Sequence, residues 1–408
     1  MELALILLFI TLLLIFLKPE YMGYSAVLMA IVAFFLNVVS LKDVIEVIDI
    51  VWDATLTFIG IIILSLVLEE IGFFDWAAVK IAKFSKGSGI LMFVYSMLLG
   101  AVIAALFSSD SAVLILTPIL ISKMQILKLN KKTLLAFVLA GGFMANTGSF
   151  LFIFSNLPNI ITADYFDIGF IEYFKHMFLP SLVAIFVSVL FLFLYFKNNI
   201  PKKIDLDLLP ECKSVIKNKK LFIFSWFFLV LLFTGFVIGD FYHIPVSFFA
   251  LGGALLFLII AYFTGVVSFK VLKKAPWQIL WFSIGLYVVV FGLKDAGITS
   301  YLHEIIKNSN ALEVGFLSAG LSGILNNLPS VMIMDMALKG IEHQALVYAN
   351  IIGTNIGPKL TPFGALSTLL WFNILRKKGI KITFFEYIKF GIVITPIVLF
   401  FTLLILEV

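Results

Sequence analysis

Charged residues are scarce in this chain. Only 13% of its 408 residues are Asp, Glu, Lys or Arg, about half the share of a soluble domain, while 62% are apolar against about half in soluble proteins. Cysteine is nearly absent. Cys212 stands alone, which excludes an internal disulfide and any cluster of thiolate ligands. The four His, at 176, 243, 303 and 343, fall at predicted span ends and read as loop residues, not metal ligands. No G-x-x-x-x-G-K-[ST] stretch occurs, so the chain does not use ATP through a P-loop. Neither H-E-x-x-H nor G-x-S-x-G is present, which leaves a membrane hydrolase without a motif. The ten-residue alternating segments of a β-barrel are missing too. A net charge of +5 does not indicate nucleic acid, because the Lys residues sit in short loops where they report membrane orientation.

What is present is a succession of apolar runs from Leu3 to Leu406, each near the length that carries a helix across roughly 30 Å of hydrocarbon. A bilayer offers no water to unpaired backbone groups, so an all-α integral membrane protein is expected. Full spans are predicted at 3–17, 21–39, 53–70, 133–163, 178–196, 221–238, 244–264, 276–293, 344–375 and 386–406. Hairpins are predicted at 90–124 and 311–338. The run 3–17 lacks a basic leader and a small-residue cleavage site, so a retained helix is expected. The 15% aromatic content, with 45 Phe, reads as lipid-facing and packing surface.

The loop 197–220 holds seven Lys against three acidic residues, which places it in the cytoplasm. Counting outward puts Lys80, Lys83, Lys86, Lys123, Lys128, Lys131, Lys132, Lys270, Lys273, Lys274, Arg376, Lys377 and Lys378 inside. Asp164, Asp167, Glu172 and both termini fall outside. Residues 1–196 and 221–408 then each hold five spans and one re-entrant hairpin. Five is odd, so the second half enters the membrane upside down, the inverted-repeat plan of secondary transporters, with 197–220 as the cytoplasmic linker.

Four polar clusters interrupt the apolar pattern. The first hairpin turns at Phe107-Ser108-Ser109-Asp110-Ser111 and the second at Leu325-Asn326-Asn327-Leu328-Pro329. The segment 133–163 breaks at Ala145-Asn146-Thr147-Gly148-Ser149 and Ser155-Asn156-Leu157-Pro158-Asn159. The segment 344–375 breaks at Asn350 and from Gly353 through Thr354, Asn355, Gly357, Pro358, Lys359 and Pro362 to Gly364. Gly and Pro free backbone donors and acceptors. Bare backbone is tolerated at membrane depth only where it lines a cavity or is buried in protein. Half-helix ends and Ser, Thr and Asn side chains then supply neutral ligands. A lone Asn in such a helix commonly only glues helices together, but here the breaks recur at matching places in both halves. Asp110 and Lys359 are the informative charges, each costing about 2.5–3.5 kcal/mol or more if unpaired at the bilayer centre. They are candidates for mutual pairing or for carrying a proton. Asp335, in the outer arm of the second hairpin, is expected to be partly solvated. Glu69 and Glu70, near an inner span end, are expected to snorkel.

At these residues the chain resembles the ArsB-type arsenite efflux permeases of the ion transporter superfamily. The resemblance runs through Leu68-Glu69-Glu70-Ile71-Gly72-Phe73-Phe74-Asp75-Trp76-Ala77-Ala78, Ala105 to Asp110, and Ala112 to Pro118. It continues through Ser155-Asn156-Leu157 with Asn159-Ile160, then Ala163 to Phe166, Pro276 to Ile279, and Tyr348-Ala349-Asn350. The longest stretch is Gly357 to Trp371. It implies a multi-pass protein of the cell inner (plasma) membrane, no enzymatic activity and no cofactor. It also implies export of trivalent arsenic and antimony as neutral hydroxides, coupled to protons, optionally with a soluble ATPase partner, ArsA. The sequence departs from the family in the pocket. Ser109-Asp110 stands for a common Asn-Asp, Asn146 for the Asp of Ala-Asp-Thr, and Thr354-Asn355 for a Cys-Asp or similar pair.

The reading is therefore a secondary antiporter that exports arsenite or antimonite by alternating access. Substrate hydroxyls are expected on Ser109, Asn146, Thr147, Asn326, Asn327, Thr354 and Asn355, and the driving proton on Asp110 and Lys359. The helix breaks are assigned to Gly148, Pro158, Gly357, Pro358 and Pro362. The alternative within the superfamily is a Na⁺-coupled or Na⁺/H⁺ antiporter or a carboxylate transporter, since amide-rich breaks also suit Na⁺.

Overall fold

The computed structural model describes residues 2–18, 21–295, 297–341 and 343–407. Among the described residues the secondary structure is helical, with one isolated β-bridge between Ser88 and Lys203. The first half holds α1 (Glu2–Leu17), α2 (Met22–Phe35), α3 (Leu41–Ile71), α4 (Phe73–Phe84), α5 (Gly89–Phe107), α6 (Ser109–Ile126), α7 (Lys131–Gly148), α8 (Leu157–Tyr165) and α9 (Phe170–Phe196). The second half repeats that order. It holds α10 (Lys219–Phe241), α11 (Val246–Phe263), α12 (Gln278–Asp295), α13 (Ile298–Ile306), α14 (Ala311–Leu325), α15 (Asn327–Leu338), α16 (Gln344–Ile356), α17 (Leu366–Lys377) and α18 (Phe384–Leu403). Each element of one half thus has its counterpart nine elements on.

Among the described residues eight helices are long and apolar enough to cross a membrane. Six match expected spans and two are the arms of the first hairpin, while the other four expected spans are either interrupted (133–163 and 344–375) or short (α1 and α2). The segment 133–163 is α7 and α8 separated by an irregular stretch that holds a short 3₁₀ turn over Ile153–Ser155. The segment 344–375 is α16 and α17 separated by a short 3₁₀ turn over Gly357–Leu360 and extended residues. Helix α3 starts twelve residues before the expected 53, since a capping box between Ser40 and Asp43 launches it. Its first turns carry Lys42, Asp43, Glu46 and Asp49, which hid them from a hydropathy reading.

The packing follows the repeat. Helix α2 lies on α12 and α3 on α11; α8 meets α15, and α6 meets α17. Each of these contacts between halves occurs with its counterpart. Close crossings rely on glycine. A Cβ on Gly60 of α3 would sit 2.5 Å from the Leu251 backbone of α11, and one on Gly285 of α12 would sit 2.5 Å from the Ala26 backbone of α2. Small residues of this kind let membrane helices approach backbone to backbone.

The linker is tied down. Ile204 N–H donates to Gly87 O at 2.8 Å, Gly89 N–H to Lys202 O at 3.3 Å, and Lys217 N–H to Ile71 O at 3.1 Å. Glu70 accepts from Lys217 at 3.4 Å and also pairs with Lys274. The acid near the end of α3 thus clamps the basic loops 197–220 and 269–274.

Candidate functional site

The two hairpins turn in the same way. Ser108, between α5 and α6, has φ 98° and ψ 155°; Asn326, between α14 and α15, has φ 87° and ψ 151°. Neither is glycine, so both turns hold a strained left-handed backbone. Each tip side chain caps the helix that follows. Ser108 Oγ accepts from Ser111 N–H at 3.1 Å, and Asn326 Oδ1 from Leu328 N–H at 3.3 Å. Each tip is also held from a helix break. Ser155 Oγ donates to Ala105 O at 2.5 Å, and Thr361 Oγ1 to Gly323 O at 2.5 Å. Both carbonyls lie three residues before the tip and belong to the last helical turn, which has no backbone partners of its own. Asn326 Nδ2 and Asn327 N–H further donate to Phe363 O and Gly364 O, both at 2.8 Å.

The tips and breaks enclose one small cavity. Its lining includes Ser109 and Asp110 at the start of α6, Asn156 and Leu157 at the start of α8, Asn327 and Leu328 at the start of α15, and Ala365 to Ser367 at the start of α17. Four helix N-termini therefore converge on it, presenting N–H groups and partial positive charge. Phe58 of α3 and Ile279, at the start of α12, complete the wall. The cavity volume is about 20 Å³, room for little more than one water molecule. Proline sets two of these starts, Pro158 in the first turn of α8 and Pro329 in that of α15, where its missing N–H costs nothing. Pro158 thus begins a helix rather than interrupting one.

Among the described residues Asp110 is the one charged side chain lining this cavity. One oxygen accepts from Ser109 Oγ at 3.4 Å, and the other is buried without a partner. Just past it, residues Ala112–Leu116 wind as a π-helix ahead of Pro118, whose nitrogen has no hydrogen to donate.

Behind the cavity the two broken helices are joined by amides. Asn156 Nδ2 donates to Asn355 Oδ1 at 2.8 Å, and Asn355 Nδ2 to Asn159 Oδ1 at 2.7 Å. Asn159 Nδ2 donates to Ser149 O at 2.8 Å, and Ser367 Oγ to Asn146 Oδ1 at 3.0 Å. Asn146 and Asn355 thus stand one contact behind the wall residues Ser367 and Asn156. Thr354 Oγ1 turns back to Asn350 O at 2.8 Å, within its own helix. Lys359 Nζ donates to Thr147 Oγ1. Among the described residues no carboxylate lies within 4 Å of Lys359, so the structure does not pair it with Asp110. Gly148 and Gly357 mark where α7 and α16 end against the Ala101 and Ala319 backbones; Pro358 lies within the short turn Gly357–Leu360 and Pro362 just beyond it.

Asp335 corrects the expectation of a partly solvated residue. It is 1% exposed, because α15 packs among α8, α12, α13, α14 and α16. Thr162 Oγ1 and Asn350 Nδ2 donate to it at 2.9 and 2.8 Å. Asn156, Asn159 and Ser367 were also missed as site residues. The signal for Asp335 was its spacing, eight residues beyond Asn327 and so on one helical face with it. No group of three or more His, Cys, Asp or Glu able to hold a metal occurs among the described residues.

A profile of the family described as arsenical pump membrane protein, ArsB, matches residues 3–408. The chain is 42% identical to the arsenical pump membrane protein of Escherichia coli, over 97% of this chain and 95% of that one. It is 42% identical to the protein of that name from Yersinia enterocolitica, over 93% and 92%. With the putative arsenical pump membrane protein of Bacillus subtilis it shares 29% identity, over 97% and 96%.

Proposed function

The chain belongs to the ArsB family of arsenical pump membrane proteins, and from that premise we propose that it exports trivalent arsenic and antimony as neutral hydroxides in exchange for protons. It is a multi-pass arsenical efflux transporter, not an enzyme. The observation that carries the finer reading is the convergence of four helix N-termini and neutral amides on a cavity holding a single carboxylate. A neutral oxyacid offers oxygen lone pairs to the N–H groups and O–H donors to Asp110. No net charge need then be desolvated with it. Hydrogen-bond capture without a thiolate also permits release. Asn327 and Ser109 meet the solute directly in this reading, while Asn146, Asn355 and Asn326 hold the wall in register. Asp110 takes and gives the driving proton. Lys359 and Thr147 act from behind the wall.

Alternating access is supported by the small size of the cavity and by what flanks it. A space of about 20 Å³ is too small for a three-oxygen solute, so the site must open to load. Leu366 lines this cavity and also a separate space of about 660 Å³ bounded by Phe16, Arg376, Ile380 and Phe384, on the side that carries the basic loops. Loading from the cytoplasm would pass Leu366. The matched contacts between halves suit two repeats, 1–196 and 221–408, moving about this site, and the positive-inside reading of their loops sets them in opposite orientation. A soluble ATPase of the ArsA type is an optional partner in this scheme, since a proton gradient alone suffices.

Everted vesicles test the scheme. A gradient acid inside should drive arsenite uptake, and Asp110→Asn should lower that uptake about tenfold, the effect of about 1.4 kcal/mol. Uptake driven by a sodium gradient alone would overturn the proton assignment. Undiminished uptake by Asp110→Asn would remove Asp110 from it.

A further inference from the structure

Asp335 has no part in the scheme above. It lies on α15 with one hydrogen bond from each half of the chain. Thr162 Oγ1 of α8 reaches its Oδ2 at 2.9 Å, and Asn350 Nδ2 of α16 reaches its Oδ1 at 2.8 Å. Among the described residues no Lys, Arg or His nitrogen lies within 4 Å of it. A carboxylate held at membrane depth without a counter-cation is expensive and retained for a function.

A second feature points to what that function is. Asn350 Oδ1 is buried and has no partner. A protonated carboxyl carries an O–H donor that an ionised one lacks. With its amide turned over, Asn350 offers the acceptor for that donor, and the Thr162 hydroxyl can donate or accept. The cluster can therefore satisfy both protonation states, whereas a purely structural carboxylate needs no spare acceptor.

A third feature is asymmetry between the halves. Asp335 lies nine residues after Asn326, as Thr117 lies nine after Ser108. Asn350 lies seven before Gly357, as Gly141 lies seven before Gly148. Thr162 lies five after Leu157, as Trp371 lies five after Leu366. The counterpart positions hold no carboxylate and no amide. The acidic cage is built only where α8, α15 and α16 lead away from the cavity toward the side assigned as outer.

We propose that Asp335 is a second proton-carrying carboxylate of the transporter, loaded from the outer face and caged by Thr162 and Asn350. The proposal rests on the proton-exchange reading. A proton from outer solution adds to the carboxylate, whose O–H then bonds Asn350 Oδ1. After access changes, the same proton leaves to the cytoplasm and Asn350 Nδ2 bonds again. The cage reaches the solute site through two elements. Asn350 O accepts the Thr354 hydroxyl at 2.8 Å, beside Asn355, which holds Asn156 at the cavity wall. Helix α8 begins at that wall and carries Thr162. The other titratable groups facing Asp335 are Tyr165 of α8 and Tyr287 of α12, both within its electrostatic reach. On α13, His303 Nδ1 lies 2.8 Å from Ala337 O. On α16, Tyr348 turns its hydroxyl to Glu172, 3.5 Å away. On α14 the one acid, Glu313, caps the first turn.

Asp335→Asn is nearly isosteric and keeps an acceptor for Asn350 and a donor for Thr162. In everted vesicles two quantities separate coupling from structure. One is exchange of labelled for unlabelled arsenite without a gradient. The other is accumulation driven by a proton gradient. Asp335→Asn should exchange like wild type and lose accumulation about tenfold, and Asp335→Glu should recover part of it. Undiminished accumulation by Asp335→Asn would overturn the proposal. So would loss of both exchange and accumulation that Asp335→Glu does not restore. A wild-type protein indifferent to the proton gradient would overturn both readings, and would be seen before any substitution.

Discussion

Several acids outside the cavity do structural work as caps on helices remote in sequence. Asp240, at the end of α10, accepts from Phe170 N–H at 2.6 Å and Ile171 N–H at 3.1 Å, at the start of α9. Asp53 accepts from Ser247 N–H at 3.0 Å, at the start of α11, and Glu407 from Ala311 N–H at 2.8 Å, at the start of α14. A carboxylate here satisfies donors that the helix leaves free and opposes its dipole. Asp240→Ala should cost about 1 kcal/mol, read as a lower unfolding temperature in detergent with arsenite transport retained. Gly169→Ala should act the same way, because its Cβ would sit 2.7 Å from Asp240 Oδ1. These caps were invisible in the sequence, since each donor and acceptor are about 70 residues or more apart. The cavity was more legible. Asp110, Ser109 and Asn327 stood out as polar residues within apolar runs, and all three line it. Which amide faces the cavity and which stands behind it depends on how two halves dock. That is why Asn156, though named in a break, and Ser367 were not assigned to the solute, and why Thr354, facing its own helix, was.

At the scale of elements, the breaks were readable because Gly, Pro and Asn cluster there, and each chemistry argues against a continuous helix. The short helices α4 and α13 were not, because their mixed composition resembles a polar loop. Helix pairing was equally hidden, although glycine spacing carries it. Gly60→Ala would push a methyl into the Leu251 backbone, and Gly285→Ala into that of Ala26. Neither backbone can yield as a side chain end can. Each variant should lose about 1–3 kcal/mol from overpacking, seen as less folded protein and earlier aggregation on heating. Gly252→Ala is the control. Nothing lies within 4 Å of its Cβ position, and its yield should match wild type.

For the whole molecule, the repeated element order makes an orientation claim that chemistry can check. Helices α4 and α13 occupy the same place in their halves, each between a long helix and a hairpin. If the halves are inverted, these two short helices lie on opposite membrane faces; if they are merely duplicated in parallel, they share one. Lys80 of α4 and Tyr301 of α13 are exposed, and Cys212 is the sole native cysteine, so Cys212→Ser leaves a clean background. In that background a membrane-impermeant maleimide should modify Lys80→Cys in everted vesicles but not in intact cells. Tyr301→Cys should react in cells but not in sealed everted vesicles. The Lys-bearing loops near α4 and the basic linker 197–220 set that polarity through the positive-inside bias. Labelling of both cysteines from one side would refute the inverted arrangement. It would also mean that the hairpin tips 107–111 and 325–329 enter from the same membrane face.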